Sequence, residues 1–515
     1  MLSRPVADQA SNQMSAGIVT PSLTSAPVAM ERKFRRALWI ASALAALAIL
    51  GCCFTMLRSQ NELTPAESVV ALHSTMLAHD GTLYYDLNRY PYTVCAYMPV
   101  FYLLEAAMVR AKIPASMAGR LVSFLSLLGL ISMCWRLVLL YTGDRLAAWV
   151  AAVLAASSSL LMFWGTTGQV DTLAVLLAVT AFYQYSRFHL RGESTLLLAG
   201  LFAGLAIFTK QTMVAVPAAI VVSLFIRDKK KALLFAVLFL AAAGGLVLAI
   251  DRALGGRFLA DTVVANMNPM DAAKFLLQLR YFGSVSGCLV LVTAVAVGRI
   301  VRGRGLPVVI YLGFAAIMFL LTAPKIASDT NYQIETTVLL ASCAAIGLHE
   351  LNFFSLVFRG SNNWVTLLML PLAVHAAVGD RVAVNLVIAR WATEDLFREQ
   401  IRQLRPYVDP TAGRVISTDF NAMVRLRGKM EVEPLPHGWL VSDGLVNPEP
   451  VRRDLAAGAF ATVILGDNVF ESNAPSSNLE LGSLAPVEIE EIRKHYRLVA
   501  HIKGPYMDGL YVYQP

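Results

Sequence analysis

The stretch PAESVVALHSTMLAHDGTLYYDLNRYPYTVCAYMPVFYLL, Pro65 to Leu104, decides the fold, because it lies between two strongly apolar segments yet is neither short nor bland. It carries Glu67, Asp80 and Asp86, Arg89, two histidines and five tyrosines between Tyr84 and Tyr97. A segment that only joined two membrane helices would need none of these. The composition predicts a reaction platform lying on a bilayer surface.

The rest of the chain supplies the bilayer. Hydrophobic residues make up 57% of 515 and charged residues only 15%, too little polar surface for a soluble domain, so the chain reads as a polytopic α-helical membrane protein. The net charge of +8 falls mostly in short loops, which argues for membrane orientation and gives no reason to expect a nucleic-acid partner. The six cysteines show neither a disulfide framework nor zinc-ligand spacing. Residues 1–36 read as a disordered cytoplasmic tail ending in ERKFRR, and an apolar run to Met56 follows. That run reads as an uncleaved anchor, since the apolar core of a signal peptide would be shorter and nearer the start.

Ten further apolar runs follow, near 121–140, 146–164, 171–186, 195–208, 212–226, 232–250, 282–299, 306–323, 333–349 and 363–379. Basic residues at Arg145, Arg187, Arg191, Arg227–Lys231, Arg299–Arg304 and Arg359 all fall on the side of ERKFRR. The positive-inside rule then predicts about eleven spans, the N-terminus cytoplasmic and the C-terminus extracytoplasmic. The turns 164–171, 251–281 and 323–332 share the external side with the first loop, 58–120. Residues 97–113 are apolar too, but a crossing there would put RDKKK outside, so they read as a surface-lying helix. After the transmembrane domain, 37–380, residues 381–515 turn polar. Strand-like runs at 414–418, 461–467, 496–502 and 509–514 alternate with helical ones, which predicts a small external α/β module tethered by the last span.

Ionisable residues at membrane depth are costly and default to functional candidates. Here they gather on the predicted external side: Glu67 and Asp86 in the first loop, Asp171 in GQVDTLA, Lys210 in GLAIFTKQT, and Lys325, Asn331 and Glu335 in APKIASDTNYQIE. Each has a bland reading as well. Asp171 suits a helix N-terminus, Lys210 and Lys325 suit snorkelling side chains, and Asn331 suits a helix cap. The tyrosines read as interface anchors, His73 and His79 as solvated, and the two Gly doublets as packing and turn residues.

Taken in order, DGTLYYDLNRYPYTVCAYMP, Gln169-Val-Asp-Thr-Leu-Ala174, Leu205–Thr212 and Asn331-Tyr-Gln-Ile-Glu335 resemble the GT-C superfamily of polyprenyl-phosphate-sugar-dependent membrane glycosyltransferases. Within it they are most similar to bacterial protein-mannosyltransferase-like proteins, which are similar to the lipid A aminoarabinose transferases. The resemblance covers about 65–350. It implies an inverting transfer of sugar from a polyprenyl phosphate to a lipid, glycan or protein acceptor at the external face of a bacterial inner membrane. A carboxylate takes the acceptor proton and a cation meets the leaving phosphate. On that pattern Glu67 is the base with Asp86 in reserve, and Asp171 orients the acceptor or shares a divalent metal with Glu67. Lys210, Arg89 and Lys325 meet the lipid phosphate, and Tyr97, Asn331, Tyr332 and Glu335 line the substrate. Relatives carry Asp-Glu or Ser-Glu where this chain has Ala66-Glu67, and often Arg in place of Gln169. A transporter or flippase for a lipid-linked sugar is the rival, yet no internal repeat is visible and the polar residues cluster at one face. A non-catalytic GT-C-like scaffold is the third reading, suggested by Ala66 and Gln169.

Overall fold

The structure is a computed structural model that describes residues 25–515 apart from 60, 355, 357–362, 409–410, 412, 472–483 and 505–508; the predicted tail up to residue 24 and Arg359 lie outside the described residues. The chain order is α1 (Ser25–Arg58), α2 (Pro65–Asp80), α3 (Pro99–Arg110), α4 (Ala115–Thr142), α5 (Arg145–Ala156), α6 (Ser159–Gly165) and α7 (Val170–Arg191). Then come α8 (Leu196–Ile207), α9 (Ala215–Arg227), α10 (Lys229–Ala253), α11 (Arg257–Thr262), α12 (Ala272–Arg302), α13 (Leu306–Thr322), α14 (Ile334–Glu350) and α15 (Asn363–Val408). The segment 25–36, expected as tail, is already helical within α1.

All eleven predicted runs are helical, but among the described residues only five helices are long and apolar enough to cross a membrane, or six if bent α5–α6 counts as one span. The difference lies partly in a break the hydropathy does not show and partly in helices shorter than a full span. The α5–α6 pair bends by 64°, and α8, α9 and α13 are shorter apolar helices. The twelve residues of α3 reach only about 18 Å, against about 30 Å of hydrocarbon, so α3 cannot cross. It packs on α2 and α4 and buries Phe101, Tyr102, Glu105 and Ala106.

The basic loops gather at one end of the bundle, where His349 Nδ1 lies 3.1 Å from Asp144 Oδ2 and Arg187 pairs with Glu193. The first loop, the 166–169 turn and Asn331 gather at the other end, since α7 has Asp171 in its first turn and Arg187 and Arg191 in its last stretch.

At the C-terminal side, β1 (Arg414–Ser417), β2 (Phe460–Leu465), β3 (Arg497–Ile502) and β4 (Leu510–Gln514) form one sheet in the order β1-β2-β4-β3. The β1–β2 pair is parallel and the other pairs antiparallel. All four strands match the strand-like runs in the sequence. The sheet region is not held by the last helix alone. Tyr92 N donates to Glu431 O at 2.9 Å, Glu433 N donates to Tyr92 O at 2.8 Å, and Leu72 and Met76 of α2 share a core with Phe397, Leu404, Met423 and Val512. This docking corrects two expectations. His73 is buried at 1% exposure with Nε2 3.5 Å from Glu433 Oε2, and Tyr92 is a core residue shared with the module; Tyr84 is buried too, but against Val70, Phe101 and Phe258, and His79 is exposed as expected. The polar module covers a face that the isolated loop would leave wet.

Candidate active site

Two buried ion pairs stand at the end of the bundle where the first loop meets α7. Glu67 enters at the first turn of α2, just after Pro65 starts the helix. Its Oε1 accepts from Arg120 Nε at 2.6 Å and from Gly168 N at 2.8 Å. Its Oε2 accepts from Arg120 Nη2 at 2.9 Å and from Leu63 N at 3.1 Å. Arg120 spends its remaining N–H groups on the carbonyls of Met56, Ser59 (2.9 Å) and Asn61 (2.8 Å). All five guanidinium donors and about four carboxylate lone pairs are therefore in use. Gly168 makes the approach possible: a Cβ there would lie 3.3 Å from Glu67 Oε1 and 3.3 Å from Arg120 N. Burial alone would raise the Glu67 pKa, but the Arg120 charge and these hydrogen bonds outweigh it and hold the carboxyl below its ordinary value.

Three residues beyond Gly168, in the first turn of α7, stands Asp171, which is 1% exposed. Three extended residues span at most about 11 Å, so the two carboxylates share one neighbourhood. Lys210, in the break between α8 and α9, donates to Asp171 Oδ1, and Asn331 Nδ2 donates to Oδ2 at 3.1 Å. The Lys210 ammonium also lies 3.8 Å from the Tyr332 ring centre and 5.9 Å from that of Tyr97. Five residues proposed from sequence thus converge: Asp171, Lys210, Asn331, Tyr332 and Tyr97. Unlike the Glu67 network, this one has spare capacity. Asn331 Oδ1 and both amide atoms of Gln169 are buried with no hydrogen-bond partner among the described residues.

Glu335, one turn beyond Asn331, is buried and accepts from Tyr311 of α13 at 2.6 Å. Lys325 is partly buried and donates to Asn266 O at 3.4 Å; burial and then the nearby Lys210 charge lower its pKa. Asp86 and Arg89 do not join this cluster. They face each other at 3.6 Å on the surface, with Arg89 83% exposed, because a turn carries 86–90 outward before the chain returns through Tyr92.

The expected metal does not fit the pair Glu67 and Asp171. Each carboxylate already faces a cation, and among the described residues no three His, Cys, Asp or Glu side chains converge. Two residues passed unnoticed in the sequence. Arg120 is 2% exposed, and Glu105 is 1% exposed and accepts from Ser74 Oγ at 2.8 Å. Burial pushes the Glu105 carboxyl up to about 8, with Ser74 opposing and Glu67 adding to the shift. The signal for both was an ionisable residue inside an apolar stretch. Starting the span at residue 121 and setting 97–113 aside hid them.

The geometry can be set beside known proteins. The family model for dolichyl-phosphate-mannose-protein mannosyltransferase matches residues 96–251, which hold Tyr97, Asp171 and Lys210. No curated protein matches the chain. Among solved structures it is similar to ArnT from Cupriavidus metallidurans bound to undecaprenyl phosphate, with a TM-score of 0.62 at 14% identity, over 92% of this chain and 97% of that one. The chain shares the fold of that structure. It is similar also to the oligosaccharyltransferase of Archaeoglobus fulgidus in the apo form, with a TM-score of 0.55 at 12% identity, over 92% of this chain and 73% of that one. The archaeal enzyme AglB, in complex with an inhibitory peptide and a dolichol-phosphate, gives a TM-score of 0.54 at 11% identity, covering 89% and 72%. The similarity extends over 92% of the chain, and so takes in both the helical bundle and the C-terminal region that holds the sheet.

Proposed function

We propose that this protein transfers a sugar from a polyprenyl-phosphate donor to a lipid, glycan or protein acceptor at the extracytoplasmic face of a bacterial inner membrane, with inversion at the anomeric carbon. The proposal places the N-terminus in the cytoplasm and takes 381–515 as an extracytoplasmic domain. The observation that carries it is the unsaturated pair Asp171–Lys210 beside an apolar groove. That groove, of about 650 Å³, runs between α8 and α10 along Leu201, Leu205, Phe208, Leu238 and Ile250. Phe208 is two residues from Lys210, and its carbonyl accepts from Val100 N, so one part of the groove wall lies close in the chain to this cation, while Lys231 also lines the groove. An isoprenoid tail suits the groove and its phosphate suits Lys210.

In this reading the donor phosphate takes the Lys210 ammonium, and Asp171 is released to the acceptor. The acceptor oxygen attacks the anomeric carbon as its proton passes to the Asp171 carboxylate. The bond from that carbon to the phosphate oxygen breaks, and its electron pair leaves with the phosphate held by Lys210. Asn331 keeps the other carboxylate oxygen in place, and the Tyr332 and Tyr97 rings flank the cation. Glu67 becomes a positioning residue here and not the base expected from its place in the first loop. Its network fixes Gly168 and so the start of α7, where Asp171 stands. The saturated Glu67 and the Ala66 before it also favour a non-catalytic scaffold as a second reading.

The test compares lipids and glycans of cells carrying the wild type, the Asp171→Asn variant and no gene. The expected result is a glycosylated product lost in the last two, with the variant protein at normal level. A product unchanged in Asp171→Asn would overturn the assignment, and no difference on deleting the gene would favour the scaffold.

A further inference from the structure

Asp86 and Arg89, displaced from the ion-pair cluster, line a separate pocket of about 620 Å³ together with Tyr85, Tyr90, Gly256 and Arg257. One wall comes from the first loop and the other from the turn between α10 and α11. Its floor is backbone: Gly255 and Gly256 have φ of +64° and +84°, and a Cβ at either would meet nothing within 4 Å. Its aromatic rim is held in place. The Tyr90 hydroxyl donates to Asp454 Oδ2 at 2.9 Å, and the Arg414 guanidinium lies 4.1 Å over the Tyr90 ring and donates to the same Asp454 oxygen at 2.8 Å. Asp86 is fixed by accepting from Asn88 N at 3.0 Å. The pocket backs onto the reaction centre through one layer of side chains. Tyr84, next to Tyr85, donates to Tyr97 O at 3.0 Å and meets Phe258, next to Arg257, edge-on at 5.1 Å between ring centres.

Two guanidiniums against one carboxylate leave the lining positive. Guanidiniums bind planar anions through paired N–H groups, whereas tyrosine faces with a few polar side chains suit a polyhydroxylated ring. We propose that this pocket binds the acceptor through a sugar ring that carries an acidic substituent, and that the C-terminal module serves the reaction by clamping Tyr90. The inference rests on the transferase reading for the word acceptor, but the binding itself can be tested alone.

The test uses the full chain in lipid nanodiscs and saturation-transfer NMR with digalacturonic acid as the probe and maltose as the neutral comparison. Wild type should bind digalacturonic acid and hold maltose at least tenfold more weakly. Arg89→Ala combined with Arg257→Ala should weaken digalacturonic acid at least tenfold, with Arg89→Lys combined with Arg257→Lys in between, while undecaprenyl phosphate binding stays unchanged and reports an intact fold. Equal binding by wild type and the double Ala variant, equal binding of maltose, or no binding of digalacturonic acid by wild type overturns the pocket. Failure of wild type to bind undecaprenyl phosphate would instead count against the transferase reading and leave the saccharide result to decide the pocket.

Discussion

Glu67–Arg120 and Asp171–Lys210 are both buried carboxylate–cation pairs, and their contacts lie three residues apart at Gly168 and Asp171. They differ in what is left over. The first pair is closed: every N–H of Arg120 and both oxygens of Glu67 have fixed partners, several of them backbone groups. The second is open, with a compact ammonium in place of the planar fork and an amide oxygen of Asn331 unused. A closed buried pair specifies where the chain goes, whereas an open one can exchange a partner for a substrate. Charge and burial alone would not distinguish them.

The sharpest way to break this comparison is to neutralise the open pair. Asp171→Asn should cut sugar transfer by about 10²–10⁴-fold, the usual worth of a positioned base. Lys210→Met should lower transfer as strongly and weaken undecaprenyl phosphate binding, with a stability loss as well, since Asp171 is left buried without its cation. Stability loss without activity loss in either variant would make the two pairs alike.

Next in size is the closed pair. Arg120→Met alone leaves Glu67 buried without its cation, and a loss of about 3–5 kcal/mol is expected, read as a fall in melting temperature and membrane yield. Combining it with Glu67→Gln should recover much of that loss, since replacing both partners removes the stranded charge. The double variant should retain sugar transfer better than Asp171→Asn does. A double variant as stable as wild type but inactive would return Glu67 to the chemistry.

The smallest effect concerns pH. Burial raises the Glu105 carboxyl to about 8 and that of Asp261, whose Oδ2 accepts from Cys95 N at 3.2 Å, also to about 8. Between their ordinary values near 4 and pH 8 the folded state holds more protons than the unfolded chain. Stability from these groups is thus present at low pH and lost as pH rises through that window. Melting temperature should fall between pH 5 and 8, and Glu105→Gln should flatten that fall. A melting temperature that rises over the same range in wild type would contradict the neutral buried acids.

Much was legible in residue order. Apolar runs between basic loops gave the helical bundle and its two ends, because spanning length and loop charge are properties of single segments. The four C-terminal strands were readable for the same reason. Asp171, Lys210, Asn331 and Tyr332 stood out as polar groups beside apolar stretches. Arg120 and Glu105 were equally visible in principle, but Arg120 fell just outside the apolar run that starts at 121 and Glu105 inside the surface-lying segment 97–113.

Three things waited for the tertiary structure. The bend between α5 and α6 is local geometry that average hydropathy smooths away. The burial of His73 and Tyr92 depends on a module some 340 residues later in the chain docking onto α2 and the first loop. Which of Glu67 and Asp171 keeps spare hydrogen-bonding capacity around it depends on the donors that reach each carboxylate, and those come from distant segments. Sequence alone determined that acids and cations would collect at one end of a membrane bundle, since the hydrophobic effect acts segment by segment. Only the assembled fold decided which acid was saturated, because hydrogen-bond valence is settled by three-dimensional neighbours.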